Sequence, residues 1–130
     1  MTASFVERFI QDGILREYPS VFFKGAISAA DRRLLIERIL KAVDEGWYHI
    51  RLIPGENFPL YYHWEILLSR GESMLFQYAH QNQFKIFQFT EADILEAVYD
   101  YLASISVGKD TLDDAQSAAQ LREWMEEYLG

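Results

Sequence analysis

Apolar residues recur along the chain in two rhythms, and the change between them predicts the architecture. Up to about residue 45 the spacing is helical. Phe5, Phe9 and Ile10 fall on one face of a helix from about Ser4, which Gly13 ends or weakens, and Pro19 closes the region. Leu35, Ile36, Ile39, Leu40 and Val43 fall on one face of a second, from Ser28 to about Glu45, stopped at Gly46. The other face of that helix carries Arg32, Arg33, Glu37 and Lys41 and reads as solvated. From Trp47 the period drops to two, and four short strands are expected near 47–53, 60–68, 73–80 and 83–89. Helical spacing then returns. Ile94, Leu95, Val98, Tyr101, Leu102 and Ile105 line a helix from Thr90 to about Ser106; Leu112, Leu121, Trp124, Met125, Tyr128 and Leu129 line another from Thr111 to about Leu129.

All four helix starts share one device, a Ser or Thr followed three residues later by an acid: Ser4 with Glu7, Ser28 with Asp31, Thr90 with Asp93, Thr111 with Asp114. The hydroxyl can accept a backbone N–H of the first turn, and the acid favours the positive end of the helix dipole. In the strands, a three-residue loop Ser69-Arg70-Gly71 sets Ile66 opposite Met74, Trp64 opposite Phe76 and Tyr62 opposite Tyr78. A two-residue loop would put Glu65 opposite Phe76, against the alternation. A two-residue turn at Gln81-Asn82 continues the same face, pairing Phe76 with Phe87 and Met74 with Phe89. That aromatic face is the expected core, with the remaining helices packed on it. The fold class is therefore α+β: a four-stranded antiparallel meander flanked by two N-terminal and two C-terminal helices, in one domain spanning 1–130.

Composition narrows the chemistry. There is no cysteine, which removes disulfides, thiolate catalysis and thiolate-bound metals. The first residues lack a signal-peptide pattern and no apolar run approaches the ~20 residues of a membrane span, so a cytoplasmic protein is expected. Charge is unevenly placed. Residues 1–89 hold ten acids and ten Lys+Arg, whereas 90–130 hold ten acids against Lys109 and Arg122, so the whole net charge of −8 lies in the last third. Phosphate backbones are repelled there and no basic stripe exists elsewhere, so no nucleic-acid partner is expected.

With the core on even positions, the odd positions of the sheet gather His49, Arg51, Tyr61, His63, Glu65 and Gln77, the best polar cluster in the sequence and the candidate ligand or partner site. Two imidazoles and a carboxylate suffice for a loose metal site or for general acid–base work near neutral pH. A hydrated sheet face with an Arg51–Glu65 cross-strand pair uses the same residues and is the simpler reading. The same face carries Leu67, Leu75, Phe84 and Ile86, to be covered either by Val21, Phe22 and Phe23 or by a partner, a second copy included. No nucleophile, Walker spacing or His-Glu-x-x-His helix is present, and no cofactor is implied.

The sequence thus favours a non-enzymatic regulatory or protein-interaction domain of a small acidic, bacterial-type cytoplasmic protein. The architecture is comparable, by analogy alone, to the sensor half of a transcription factor. The alternative is a small-molecule sensor or minor enzyme with a pocket lined by some of Tyr48, Tyr62, Trp64, Tyr78, Tyr101 and Trp124.

Overall fold

The computed structural model describes residues 1–15, 25–54, 64–80 and 83–130. They form α1 (Ala3–Asp12), α2 (Ala29–Asp44), β1 (Trp64–Ser69), β2 (Ser73–His80), β3 (Gln83–Phe89), α3 (Ala92–Ser106) and α4 (Asp114–Leu129). The fold is α+β, with four helices and a three-stranded antiparallel sheet of order β1-β2-β3 among the described residues. Two compact units result. The described part of a helical unit is 1–15, 25–54 and 109–130, and that of a sheet unit is 64–80 and 83–108. The chain passes from the second back to the first at Gly108-Lys109, inside the Val107–Asp110 stretch whose composition reads as a break.

In the helical unit, α4 packs against α1 and α2, and its apolar stripe, expected on the sheet, is used there. Ile10, Ile36, Leu52 and Leu121 are fully enclosed, with Val6, Leu40, Ile50, Ala118, Trp124 and Met125 around them. Each such large aliphatic or aromatic group contributes about 1.5–3 kcal/mol by leaving water. Two arginines assigned to the solvated face of α2 instead close helix ends. Arg32 is buried and its guanidinium donates to the Ile10 carbonyl in the last turn of α1. Arg33 donates to the Leu129 carbonyl at the end of α4 over 2.6 Å. The reason is general: terminal carbonyls of a helix have no partner of their own and carry the negative end of its dipole. Gly13 ends α1 at φ 73°, and a Cβ there would collide with the Ile27 carbonyl.

Only one of the four expected helix starts forms as read: the Ser28 hydroxyl accepts the Asp31 N–H and donates to its carboxylate. α1 begins one residue earlier, behind Thr2, and α3 begins behind Glu91. α4 starts behind Asp113, whose carboxylate accepts the Gln116 N–H while the Gln116 side chain accepts the Asp113 N–H. A reciprocal box satisfies two orphan donors at once, which displaces the Thr111 start.

The strand expected over 47–53 is not part of the sheet. The segment is extended, with Ile50 and Leu52 buried and His49 exposed, but it lies within the helical unit. Period two reports an extended chain with one covered face, and helices can supply that cover as well as strands. Of the second expected strand, 60–63 lie outside the described residues and the rest is β1.

The β2–β3 register is the expected one, Met74 opposite Phe89 and Phe76 opposite Phe87, whose rings stand 6.3 Å apart; Gln81-Asn82 lie outside the described residues. The β1–β2 register is offset: Ile66 faces Phe76, Leu68 faces Met74 and Trp64 faces Tyr78. Here the loop is Arg70-Gly71-Glu72. The Ser69 carbonyl accepts the Glu72 N–H, the Ser69 hydroxyl donates to the Glu72 carboxylate, and Gly71 takes φ 77°. Because the offset in partner is two residues, every side chain keeps its face. The aromatic face is a thinner core than expected. Met74 is buried, Ile66, Phe76, Tyr78 and Phe89 are half-buried, and Phe87 is exposed. On α3 Leu95 is buried, whereas Ile94 and Tyr101, expected inward, are exposed. Arg70 ties the hairpin to α3, stacking 4.1 Å above the Tyr99 ring centre with its other edge 3.7 Å from Glu96. No helix among the described residues is long and apolar enough to cross a membrane.

Candidate functional site

The extended segment 48–53 shows how the helical unit positions its polar groups. Its backbone alternates between two sets of partners. Toward α4, the Ile50 N–H donates to Asp114 Oδ1 (3.1 Å), the Leu52 N–H to Ser117 Oγ (3.0 Å), and the Leu52 carbonyl accepts from the Leu112 N–H (2.9 Å). Toward the other edge, the Arg51 carbonyl accepts from the Met1 amino group (3.1 Å), the Ile53 N–H donates to the Met1 carbonyl and the Ile53 carbonyl accepts from the Ala3 N–H, both at 2.9 Å. Buried backbone groups must be paired somewhere. Here side chains of α4 take the place of a neighbouring strand.

His49 stands at the mouth of this arrangement. Its Nδ1 lies 2.7 Å from Asp114 Oδ2, and its side chain is 72% exposed. An ionised carboxylate only accepts, so Nδ1 holds the proton and Nε2 is the remaining nitrogen. The hydrogen bond from His49 holds the Asp114 carboxyl below the ordinary carboxylate value; partial burial opposes this, and the charges of His49 and Arg51 with the Ile50 N–H add to it. Beside the pair, Trp47 is 69% exposed, its indole N–H donating to Glu45 Oε2 (2.9 Å) and its ring edge-on to Tyr48. Chemically, a histidine oriented by a carboxylate is a competent proton acceptor. Among the described residues no group of three His, Cys, Asp or Glu side chains is placed to hold a metal ion.

The residues grouped by sequence are distributed differently. His49 and Arg51 belong to the helical unit, while Glu65 and Gln77 face each other across β1 and β2 in the sheet unit. Tyr61 and His63 lie outside the described residues. Since 47–53 is not a strand, no strand adjacency joins His49 and Arg51 to Glu65. Asp114 and Ser117 were missed. The signal available was a second capping register, Asp113 with Gln116, which frees Asp114 from the cap, and a small hydroxyl at an inward position of the α4 stripe. Of the aromatic residues proposed to line a pocket, Trp124 is buried among helices, Tyr78 is half-buried on β2, and Tyr48 and Tyr101 are exposed. Tyr62, and the Trp64 side chain, lie outside what is described.

The sheet unit offers a different kind of surface. Of its residues whose burial is described, Met74 and Leu95 are the buried ones, whereas Leu67, Ile86, Phe87, Ile94, Tyr101 and Val107 are exposed. On β3, Ile86 is 52% and Phe87 48% exposed, and as neighbours along a strand they stand on opposite faces of the sheet. The only formal charge on β2 and β3 is Lys85. Compared with known proteins, the chain matches no family model, no curated protein and no solved structure.

Proposed function

We propose that this chain is a non-enzymatic protein-interaction module of regulatory type, and that its working surface is on the sheet unit. One observation carries the reading: Ile86 and Phe87, on the two faces of β3, with Tyr101 and Ile94 on α3, leave large apolar groups in water, while Met74 and Leu95 are the residues buried among those of the unit whose burial is described. Scattered single apolar groups are ordinary on a surface, but several large ones in so small a unit favour a protein partner. Aromatic residues are enriched where proteins meet. The best-formed polar arrangement, His49 with Asp114 and Ser117, has a structural use in holding 50–52 to α4. The acidic last third opposes binding to nucleic acid.

Proximity labelling in cells, comparing the wild-type chain with an Ile86→Ser, Phe87→Ser double variant, tests the reading. Both proteins should melt alike, and the variant should lose neighbours that the wild type labels, or lose a dimer detected by sedimentation. Identical labelling with both proteins monomeric would overturn it.

A further inference from the structure

On α3 two rows run side by side on the solvent side. Ile94, Ala97 and Tyr101 repeat at i, i+3 and i+7, and Asp93, Glu96 and Asp100 repeat at the same interval one residue earlier. Residues at that spacing share one helix face. All six are exposed, Ile94 by 38% and Tyr101 by 48%. The half-buried face of the same helix, with Leu95, Val98 and Leu102, is already in use within the unit. Asp93 receives the Ile94 N–H, and Glu96 is 3.7 Å from Arg70.

From this pairing of an apolar row with an acidic row we infer that the outer face of α3 is a docking surface for a basic amphipathic helix of a partner protein, one whose apolar row lies beside Lys or Arg at helical spacing. This deepens the interaction-module reading and rests on it. Charge complementarity selects the occupant. Two copies of α3 meeting antiparallel through Ile94 and Tyr101 would bring both acidic rows to one flank, where like charges repel, and each copy adds a net charge of −8. A basic helix meets the opposite situation: its cations face Asp93 and Asp100 while its apolar row covers Ile94 and Tyr101. Ala97 between them lets another helix approach closely.

The test uses the whole chain and two synthetic helical peptides with the same leucine row, one flanked by lysine and one by glutamate, followed by NMR titration. The lysine peptide should bind, shift the α3 resonances around Ile94, Ala97 and Tyr101, and weaken as salt rises. Asp93→Asn with Asp100→Asn should weaken it about fivefold, through the loss of two exposed ion pairs. Tyr101→Ser should abolish it, with helical circular dichroism confirming that both variants fold. The inference is overturned if the lysine peptide does not bind, if the glutamate peptide binds as well, if the shifts map to α4, or if the same substitutions instead dissolve a dimer. Should the peptide fail while the β3 double variant still loses cellular neighbours, the interaction module stands and only the α3 occupant is wrong.

Discussion

The two units of this chain spend comparable apolar content in opposite ways. In the helical unit α1, α2, α4 and an extended segment enclose Ile10, Ile36, Leu52 and Leu121, and even two of the arginines of α2 are used to close helix ends. In the sheet unit, among the residues whose burial is described, Met74 and Leu95 are buried while Ile86, Phe87 and Tyr101 stand in water. The difference teaches where to look for each property: stability in the first, and in the second the recognition proposed above.

The sharpest way to break that comparison is to truncate one apolar side chain in each unit. Leu121→Ala should cost about 2–5 kcal/mol, as expected for a fully enclosed leucine. Phe87→Ser should stay within about 0.5 kcal/mol, the usual range for surface positions. Urea melts of the two variants measure both; a Phe87 variant as damaged as the Leu121 one would mean that the sheet unit depends on that ring for its own stability.

A smaller effect sharpens how the extended segment is held. Ser117 is fully buried, accepts the Leu52 N–H and donates to the Leu112 carbonyl. Ser117→Ala leaves that N–H without its acceptor and should cost about 1–3 kcal/mol. Amide exchange at Leu52 should speed up in the variant; unchanged exchange would show that another group pairs with it.

The smallest effect is on acid stability. Asp114 has its carboxyl held below the ordinary value in the folded protein, chiefly by His49. The folded state therefore binds fewer protons than the unfolded one in that range. The contribution is fully present above the unfolded carboxylate value near 3.8 and fades as pH falls through the lower folded value. Asp114→Asn should flatten that part of the stability curve. Urea melts across the acid range decide it, and an equal acid slope in wild type and variant would show that Asp114 adds nothing.

How much of this was legible in the sequence depended on which interactions set each feature. Local ones were readable: the Ser28–Asp31 start, the Gly13 stop, and the Phe76–Phe87 register of two alternating strands close in sequence. Wherever two local solutions competed, the sequence could not choose. Thr111 and Asp113 both offered a start for α4, and Ser69 could stand inside the hairpin loop or close it. Tertiary partners were the least visible. Nothing near 47–53 tells whether an extended segment is covered by strands or by helices, and that choice put His49 in the helical unit and left Glu65 in the sheet unit. Arg32 and Arg33 looked solvated because the carbonyls they meet belong to α1 and α4, far along the chain.

The stitching of 50–52 to α4 also orders events during synthesis. Leu52 and its partner Ser117 are 65 positions apart, and closing such a contact is slow compared with forming a hairpin or a helix. The strands and α3 leave the ribosome before Leu112, Ser117 and Leu121 do, so the three-helix cluster closes last. Until it does, Ile10 and Ile36 lack the cover that Leu121 gives them in the finished cluster, so the first two helices wait longest for their core.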